Sequence, residues 1–313
     1  MPTAVIAIGG NSLITDAEHK SVADQYEAAG ETGHHIASLI ATGWDVAVTH
    51  GNGPQVGFIL RRSELSSHEL HEVPLDVCGA DTQGAIGYAL QQNLRNDFAA
   101  KGVEKSVATV VTQVEVDADD PAFTNPSKPI GSFMEEAEAF RRRDEDGWDV
   151  VEDAGRGWRR VVASPQPMRV IELDIVRQLL DAGVVVITVG GGGIPVISDR
   201  DGNLVGVPAV IDKDLASALL AELIDADLLI ISTAVEKVAL NFGSPEERWV
   251  DEFTLAEVKQ YLDEGVHFAE GSMAPKMRAV VQFLENGGKQ ALITDPQNIE
   301  RAMAHETGTW ITA

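Results

Sequence analysis

The chain has 313 residues and 44% hydrophobic content, enough for one large α/β domain or two lobes. Its 49 Asp and Glu outnumber 24 Lys and Arg, a net charge of −25 that argues against nucleic acid or an anionic membrane as partner. One cysteine, Cys78, excludes an internal disulfide, and no apolar run approaches the ~20 residues of a membrane span.

Met1-Pro2-Thr3 runs straight into a strand pattern, without a charged segment followed by an apolar one, so no secretion signal is expected. With the lone cysteine, this implies a reducing cytoplasm. The acidity has two readings, an ordinary acidic cytosolic protein or one from a high-salt cytoplasm, where carboxylates stay hydrated and lysine is scarce.

In chain order, Thr3 to Ile8 reads as a strand and runs into Gly9-Gly10-Asn11-Ser12. Helical periodicity extends from about Ser21 to Thr42, with Val22, Ala29, Ile36, Leu39 and Ile40 at apolar positions. Strand Asp45 to Thr49 ends in His50-Gly51-Asn52-Gly53-Pro54, and a helix follows from Gln55 to about Leu65. This βαβα order signals a parallel sheet with helices on its faces, whose ligands sit at the carboxyl ends of the strands. Asp76 to Ala99 reads as a long helix and Ser106 to Val111 as the next strand. From about Val116 to Ala163, prolines and clustered charge break the pattern. The stretch is too long for a plain connection, so a small protruding subdomain, about 116–163, is expected to act as a lid.

A helix from Val170 to Asp181 leads to Val184–Val189, a wholly apolar run that reads as a buried parallel strand. Four glycines, Gly190 to Gly193, follow, then Ile194-Pro195-Val196-Ile197 and a polar turn with Asp199, Asp201 and Gly202. Ile211-Asp212-Lys213-Asp214 opens a helix that runs to Leu223. Ala226 to Ile231 is a strand and Thr233 to Val238 its carboxyl-end loop. Helix Thr254 to Leu262 has Thr254 as its cap, and Gly271-Ser272-Met273-Ala274-Pro275-Lys276 leads into helix Met277 to Glu285. Gln290 to Ile293 and Thr309 to Thr312 are the last strands.

No Walker-type phosphate loop is present, and Gly190 to Gly193 lacks the GxGxxG spacing of a dinucleotide site. Three glycine loops nevertheless end three apolar strands, at Gly9-Gly10-Asn11, Gly51-Asn52-Gly53 and Gly190–Gly193, and together suggest a shared anion cradle. The chain has only nine lysines, and Lys128, Lys213 and Lys276 each stand beside proline, glycine or aspartate at the start of an element. Phosphoryl transfer needs such charges, because its transition state is stabilised by positioning and electrostatics. Asp214 is suited to orient Lys213 and Lys276; alternatively, Asp212 and Asp214 only complement a helix dipole. His50, just before Gly51, is placed either for catalysis or, as the plainer reading, to pack its loop; His34 and His35 have no metal partner at useful spacing, and Cys78 reads as a buried hydrophobe. The arginines at 141–143 and 159–160 read as a solvated face of the subdomain, neutralised by adjacent acids.

Several runs, taken together, resemble the carbamate kinases of the amino-acid kinase superfamily. They include Gly9-Gly10-Asn11, His50 to Gly57, Gln83-Gly84-Ala85-Ile86-Gly87-Tyr88, Lys128-Pro129-Ile130-Gly131, Gly157 to Val162 and Gly190 to Pro195. Val210 to Ser217, Val235-Glu236-Lys237-Val238 and Phe268 to Met273 continue the match in the same order. The departures (Thr82 for serine, Ala163 for proline, Ala274 for glycine) replace no charged group.

The resemblance implies an open, mainly parallel αβα sandwich, the amino-acid kinase fold, with a homodimer as its assembly. An N-lobe of about 1–205 would include the protruding subdomain and hold carbamate; a C-lobe of about 206–313 would hold ATP. The implied reaction is reversible phosphoryl transfer between ATP and carbamate, giving ADP and carbamoyl phosphate and running toward ATP in arginine fermentation. Gly9, Gly10, Asn11, Gly51, Asn52 and Gly53 would contact carbamate and the moving phosphoryl group. Lys128, Lys213, Lys276 and Asp214 would be catalytic, with Mg2+ held mainly by the nucleotide phosphates. Gly191, Gly192, Thr233, Ala234, Val235, Val238, Ser272 and Met273 would line the nucleotide site. A kinase for a different carboxylate or a nucleoside monophosphate remains the nearest alternative, and a non-catalytic nucleotide-binding regulator the next.

Overall fold

The computed structural model describes residues 1–9, 21–153 and 157–313. The chain begins with β1 (Thr3–Ile8), α1 (Val22–Ala41), β2 (Asp45–His50), α2 (Gly53–Ser66) and α3 (Leu75–Lys101). Next come β3 (Val107–Thr109), β4 (Gln113–Val116), β5 (Lys128–Met134), α4 (Glu136–Asp146), β6 (Asp149–Glu152), β7 (Trp158–Val162) and β8 (Pro167–Val170). Helix α5 (Leu173–Asp181), β9 (Val185–Ile187), β10 (Ile194–Ser198), β11 (Leu204–Gly206), α6 (Lys213–Leu223) and β12 (Leu228–Ser232) follow. The chain continues through β13 (Val238–Leu240), β14 (Arg248–Val250), β15 (Glu252–Thr254), α7 (Leu255–Glu264) and α8 (Met273–Glu285). It closes with β16 (Gln290–Thr294), α9 (Ile299–Met303) and β17 (Thr309–Thr312).

An eight-stranded sheet has the order β15-β17-β16-β12-β1-β2-β9-β3. The strands from β16 through β3 run parallel, while β17 is antiparallel to β16 and carries β15 alongside it. Strand β1 shows why two layers of helix are needed. Val5 and Ala7 enter one core with α5, α6, α7 and α8, while Ala4, Ile6 and Ile8 enter another with α1, α3 and α9. A strand apolar on both faces is stable only when both are covered. Because the central strands are parallel, β1, β2, β9 and β12 all deliver their carboxyl ends to one edge of the sheet.

Strands β5, β7 and β6 form a separate three-stranded antiparallel sheet, with α4 between β5 and β6 in the chain. It meets α2 at backbone contact distance: a Cβ on Gly57 would lie 2.2 Å from the Gly131 Cα. The arginines divide here. Arg141, Arg142 and Arg143 pair with acids of α4, in keeping with a charged face. Arg159 and Arg160 do not lie on a solvated face. Arg160 turns inward to Glu64 of α2 at 2.5 Å and stacks 4.6 Å from the Trp148 ring centre. Arg159 donates to the Gly131 carbonyl at 3.0 Å. Strand alternation sends these two side chains to the inner surfaces of a thin sheet, where each finds acceptors.

Other expectations need adjustment. The strand expected at Val184–Val189 is regular only over Val185–Ile187, because Val189 takes a left-handed conformation at φ 50° and turns the chain. The segment Pro167–Val170 pairs with β4, so the next helix starts at Leu173, three residues later than expected from its periodicity.

Candidate active site

The cluster at the start of α6 is built by its cap. Asp212 Oδ1 accepts from the backbone N–H of Asp214 at 2.8 Å and of Leu215 at 3.4 Å, satisfying the helix N-terminus. Lys213 and Asp214 occupy the first turn and are buried. Lys213 Nζ donates to Asp214 Oδ1 at 2.5 Å, and Lys276 Nζ, from the first turns of α8, donates to Asp214 Oδ2 at 2.9 Å. Lys128, the first residue of β5, donates to Asp212 Oδ2 at 2.5 Å. All three predicted lysines therefore converge on two neighbouring carboxylates, with Asp214 bridging Lys213 and Lys276 as expected.

The charges inside this cluster are strongly coupled. Burial pushes the Lys213 ammonium below the usual lysine range; the Asp214 carboxylate opposes that shift and Lys276 adds to it. Burial works on Lys276 too, yet the charge and hydrogen bond of Asp214 outweigh it and hold its pKa up. Burial would raise the Asp214 carboxyl, but the two lysines overcome it and keep it ionised far below the usual carboxylate range. Three ammoniums against two carboxylates leave the cluster one positive charge in excess, within a chain of net charge −25. That is a focused attraction for phosphate. Neither carboxylate is free to act as a base.

The ends of β1 and β2 and the Gly190–Gly193 turn lie beside the cluster. Thr49, at the end of β2, shares a 2.6 Å hydrogen bond with Ser217 of α6, and Ser217 also donates to the Lys213 carbonyl. Gly51 donates its N–H to the Ile8 carbonyl, and Gly9 donates to Ser232. Asn52 precedes α2 without capping it; its Nδ2 donates instead to Thr82 at 2.8 Å. Helix α8 likewise has no side-chain cap. Uncapped helix N-termini present N–H groups and positive dipole ends to an anion. Gly191 is left-handed at φ 67°, and a Cβ there would sit 2.2 Å from Asn52 Nδ2, so this loop closes on Asn52 only as glycine.

Gln83 of α3 was not singled out from sequence, yet it organises this region. Its Oε1 accepts from Thr112 N at 2.7 Å, and its Nε2 donates to the carbonyls of Thr112 at 3.0 Å and Gly190 at 2.9 Å. Its run in the resembling motif was the available signal. Asp212 was read only as a dipole complement; that it holds Lys128 was missed. His50 is buried with Nδ1 3.1 Å from the Gly51 carbonyl, and burial pushes its pKa down to about 4, Lys213 adding to the effect, so it packs as neutral imidazole.

Of the remaining predicted contacts, Gly51 and Asn52 are buried and Gly53 opens α2, while Gly10 and Asn11 lie outside the described residues. Thr233, Ala234 and Val235 form the partly exposed turn after β12, and Ser272 and Met273 begin α8 near Lys276. Val238 is wholly buried, with its N–H donated to Thr309 Oγ1, and Gly192 is wedged against Ile211. No helix among the described residues is long and apolar enough to cross a membrane.

The model of the amino acid kinase family matches residues 2–295. The chain belongs to that family. It is 53% identical to the carbamate kinase-like protein YqeA of Escherichia coli over 98% of both chains. It is 46% identical to the carbamate kinase of Pyrococcus horikoshii, again over 98% of each. The solved carbamate kinase of Giardia lamblia bound to AMP-PNP superposes with a TM-score of 0.90 at 40% identity, covering 99% of this chain and 98% of that one. The chain is thus a phosphotransferase of the amino acid kinase fold.

Proposed function

We propose that the protein is a carbamate kinase, transferring a phosphoryl group reversibly between ATP and carbamate and running toward ATP in arginine fermentation. The observation that carries this reading is the convergence of Lys128, Lys213 and Lys276 on Asp212 and Asp214. Full-length similarity to carbamate kinases supports the choice of acceptor.

Carbamate is already an anionic oxygen nucleophile, so the chemistry needs no general base. The obstacle is repulsion between that anion and the phosphates. In the forward direction the carbamate oxygen bonds to the γ-phosphorus as the bond to the β–γ bridging oxygen breaks, and ADP leaves. Lys128, Lys213 and Lys276 would neutralise the transferring oxygens, and Asp214 would hold two of these ammoniums in place. Gly10, Asn11, Asn52 and Gly53 would donate to carbamate and the moving group on the N-lobe side, about 1–205, while Gly9 and Gly51, whose N–H groups are taken by Ser232 and Ile8, would shape the loops around it. Thr233, Ala234, Val235, Val238, Ser272 and Met273 would line the nucleotide on the C-lobe side, about 206–313, with Gly191 and Gly192 toward the phosphates. Magnesium would arrive as part of the nucleotide, held by its phosphates and screening their charge. That arrangement suits a site whose two carboxylates are engaged by lysines. The subdomain at about 116–163, carrying Lys128, would act as a lid, and the assembly would be a cytoplasmic homodimer.

The deciding experiment is ATP formation from ADP, magnesium and carbamoyl phosphate in a coupled assay. Robust turnover is expected. Turnover with acetylglutamate and ATP, and none with carbamoyl phosphate, would reject the assignment.

A further inference from the structure

We infer that Asp212 is a positioning residue: its carboxylate draws Lys128 of the β5–β7–β6 sheet onto the N-terminus of α6 and fixes where that ammonium stands relative to Lys213 and Lys276. The two oxygens of Asp212 have separate tasks. Oδ1 is anchored by the N–H groups of Asp214 and Leu215, so the side chain cannot swing. Oδ2 is thereby aimed at Lys128 Nζ, 84 residues away in sequence, and meets it at 2.5 Å.

Both ends of this pair stand on braced backbone. Ser127, just before Lys128, donates to the Val162 carbonyl; Val210, just before Ile211 and Asp212, donates to the Ala163 carbonyl. Ala163 and Ala209 also form an isolated parallel bridge. The foot of the small sheet is thus tied to the segment that ends at Asp212. What the backbone leaves unset is the direction of the four-carbon Lys128 side chain.

The charge arithmetic says why a second carboxylate is needed. Without Asp212, three ammoniums would share Asp214 alone. Lys128 is the most exposed of the three, with 27% of its side chain accessible against 10% for Lys213 and 16% for Lys276. Repulsion would therefore send Lys128, rather than the other two, outward to water. Burial would raise the Asp212 carboxyl, but Lys128, through charge and hydrogen bond, overcomes this and keeps it ionised.

The catalytic half of this inference rests on the phosphoryl-transfer reading; the placement half does not. Asp212→Asn tests both, because its amide oxygen can still cap α6 while the charge is lost. In ligand-free protein, the rate of Lys128 acetylation by an N-hydroxysuccinimide ester, mapped by mass spectrometry, should rise about five- to tenfold. Lys105, paired with Asp45, serves as the internal control. In ATP formation, Asp212→Asn should lower kcat about tenfold with little change in the KM for ADP, and add nothing in a Lys128→Met background. An unchanged Lys128 acetylation rate would overturn the inference, as would an Asp212→Asn loss that multiplies fully onto Lys128→Met. If Asp212→Asn fails to fold, Asp212→Ser, which also caps helices, takes its place in every arm. Should even the unaltered enzyme make no ATP, the substrate reading fails while the acetylation arm still decides the placement.

Discussion

Replacing Lys276 with alanine is the sharpest probe of the phosphate clamp. The change removes one of the two cations on Asp214 and leaves Lys213, at 2.5 Å, as its remaining partner. Two magnitudes follow. Loss of one hydrogen bond to a charged, buried carboxylate costs about 1.5–3 kcal/mol of stability. The backbone of α8 does not suffer, since alanine is the best helix former. On the reaction, a unit charge ~4 Å from a phosphoryl oxygen is worth ~4 kcal/mol at an effective dielectric of ~20. Only the part that grows in the transition state counts toward kcat, so ~2–4 kcal/mol is expected, as for loss of an oxyanion donor. That converts to a kcat lower by roughly 30- to 900-fold. The affinity for ADP should move far less, because the nucleotide keeps its other contacts. The assay pairs kcat for ATP formation with an ADP dissociation constant from calorimetry, on protein whose far-UV circular dichroism matches the parent. A folded variant with kcat within about threefold of the parent would refute the clamp.

Two further expectations concern solution conditions. His50 has an ordinary pKa near 6.5 when unfolded but about 4 when folded, so the unfolded chain takes up its proton first as pH falls. Its contribution is present above pH 6.5 and is lost between 6.5 and 4, up to about 3 kcal/mol. His50→Gln should flatten the dependence of the urea midpoint on pH across that window, and parallel slopes for the two proteins would reject the reading. The net charge of −25 predicts a rising thermal midpoint as KCl goes from 0.01 to 1 M, because the screening length shrinks from ~30 to ~3 Å. A flat or falling midpoint would leave an ordinary acidic enzyme rather than one adapted to high salt.

Some of this was readable in the chain and some was not, for physical reasons. Lys128, Lys213 and Lys276 stood out because lysine is rare here and each sits at or near the start of an element, Lys128 on a strand and the other two in the first turns of helices. The Asp214 bridge followed from its place one residue after Lys213. The partnership of Asp212 with Lys128 was hidden, because only tertiary structure joins residues 84 apart. The two hydrophobic faces of β1 were implied by its unbroken apolar run, and the parallel sheet by the alternation of strand and helix. Some short strands escaped: β11, β13, β14 and β15 are three residues each, too short for period-two patterning, whereas equally short β3 and β9 were legible as parts of longer apolar runs. Arg159 and Arg160 were misjudged because charge in a sequence says nothing about which surface of a two-sided sheet is covered.

The meeting of Gly57 with Gly131 has a mechanical consequence. Two backbones touch there with no side chain between them, so nothing interdigitates. Such a contact fixes the spacing of two bodies, and Val56, Ile59 and Leu60 of α2 pack with Ile130 of β5 beside it. The angle of the small sheet is then governed away from that contact, by Arg160 on Glu64 and by the guanidiniums of Arg61, Arg142 and Arg160 around the Trp148 ring. Lys128 stands on the same sheet, three residues before Gly131, and Trp148 immediately precedes β6, across β7 from it. The packing around one indole thus helps set the stance of the sheet from which Lys128 reaches Asp212.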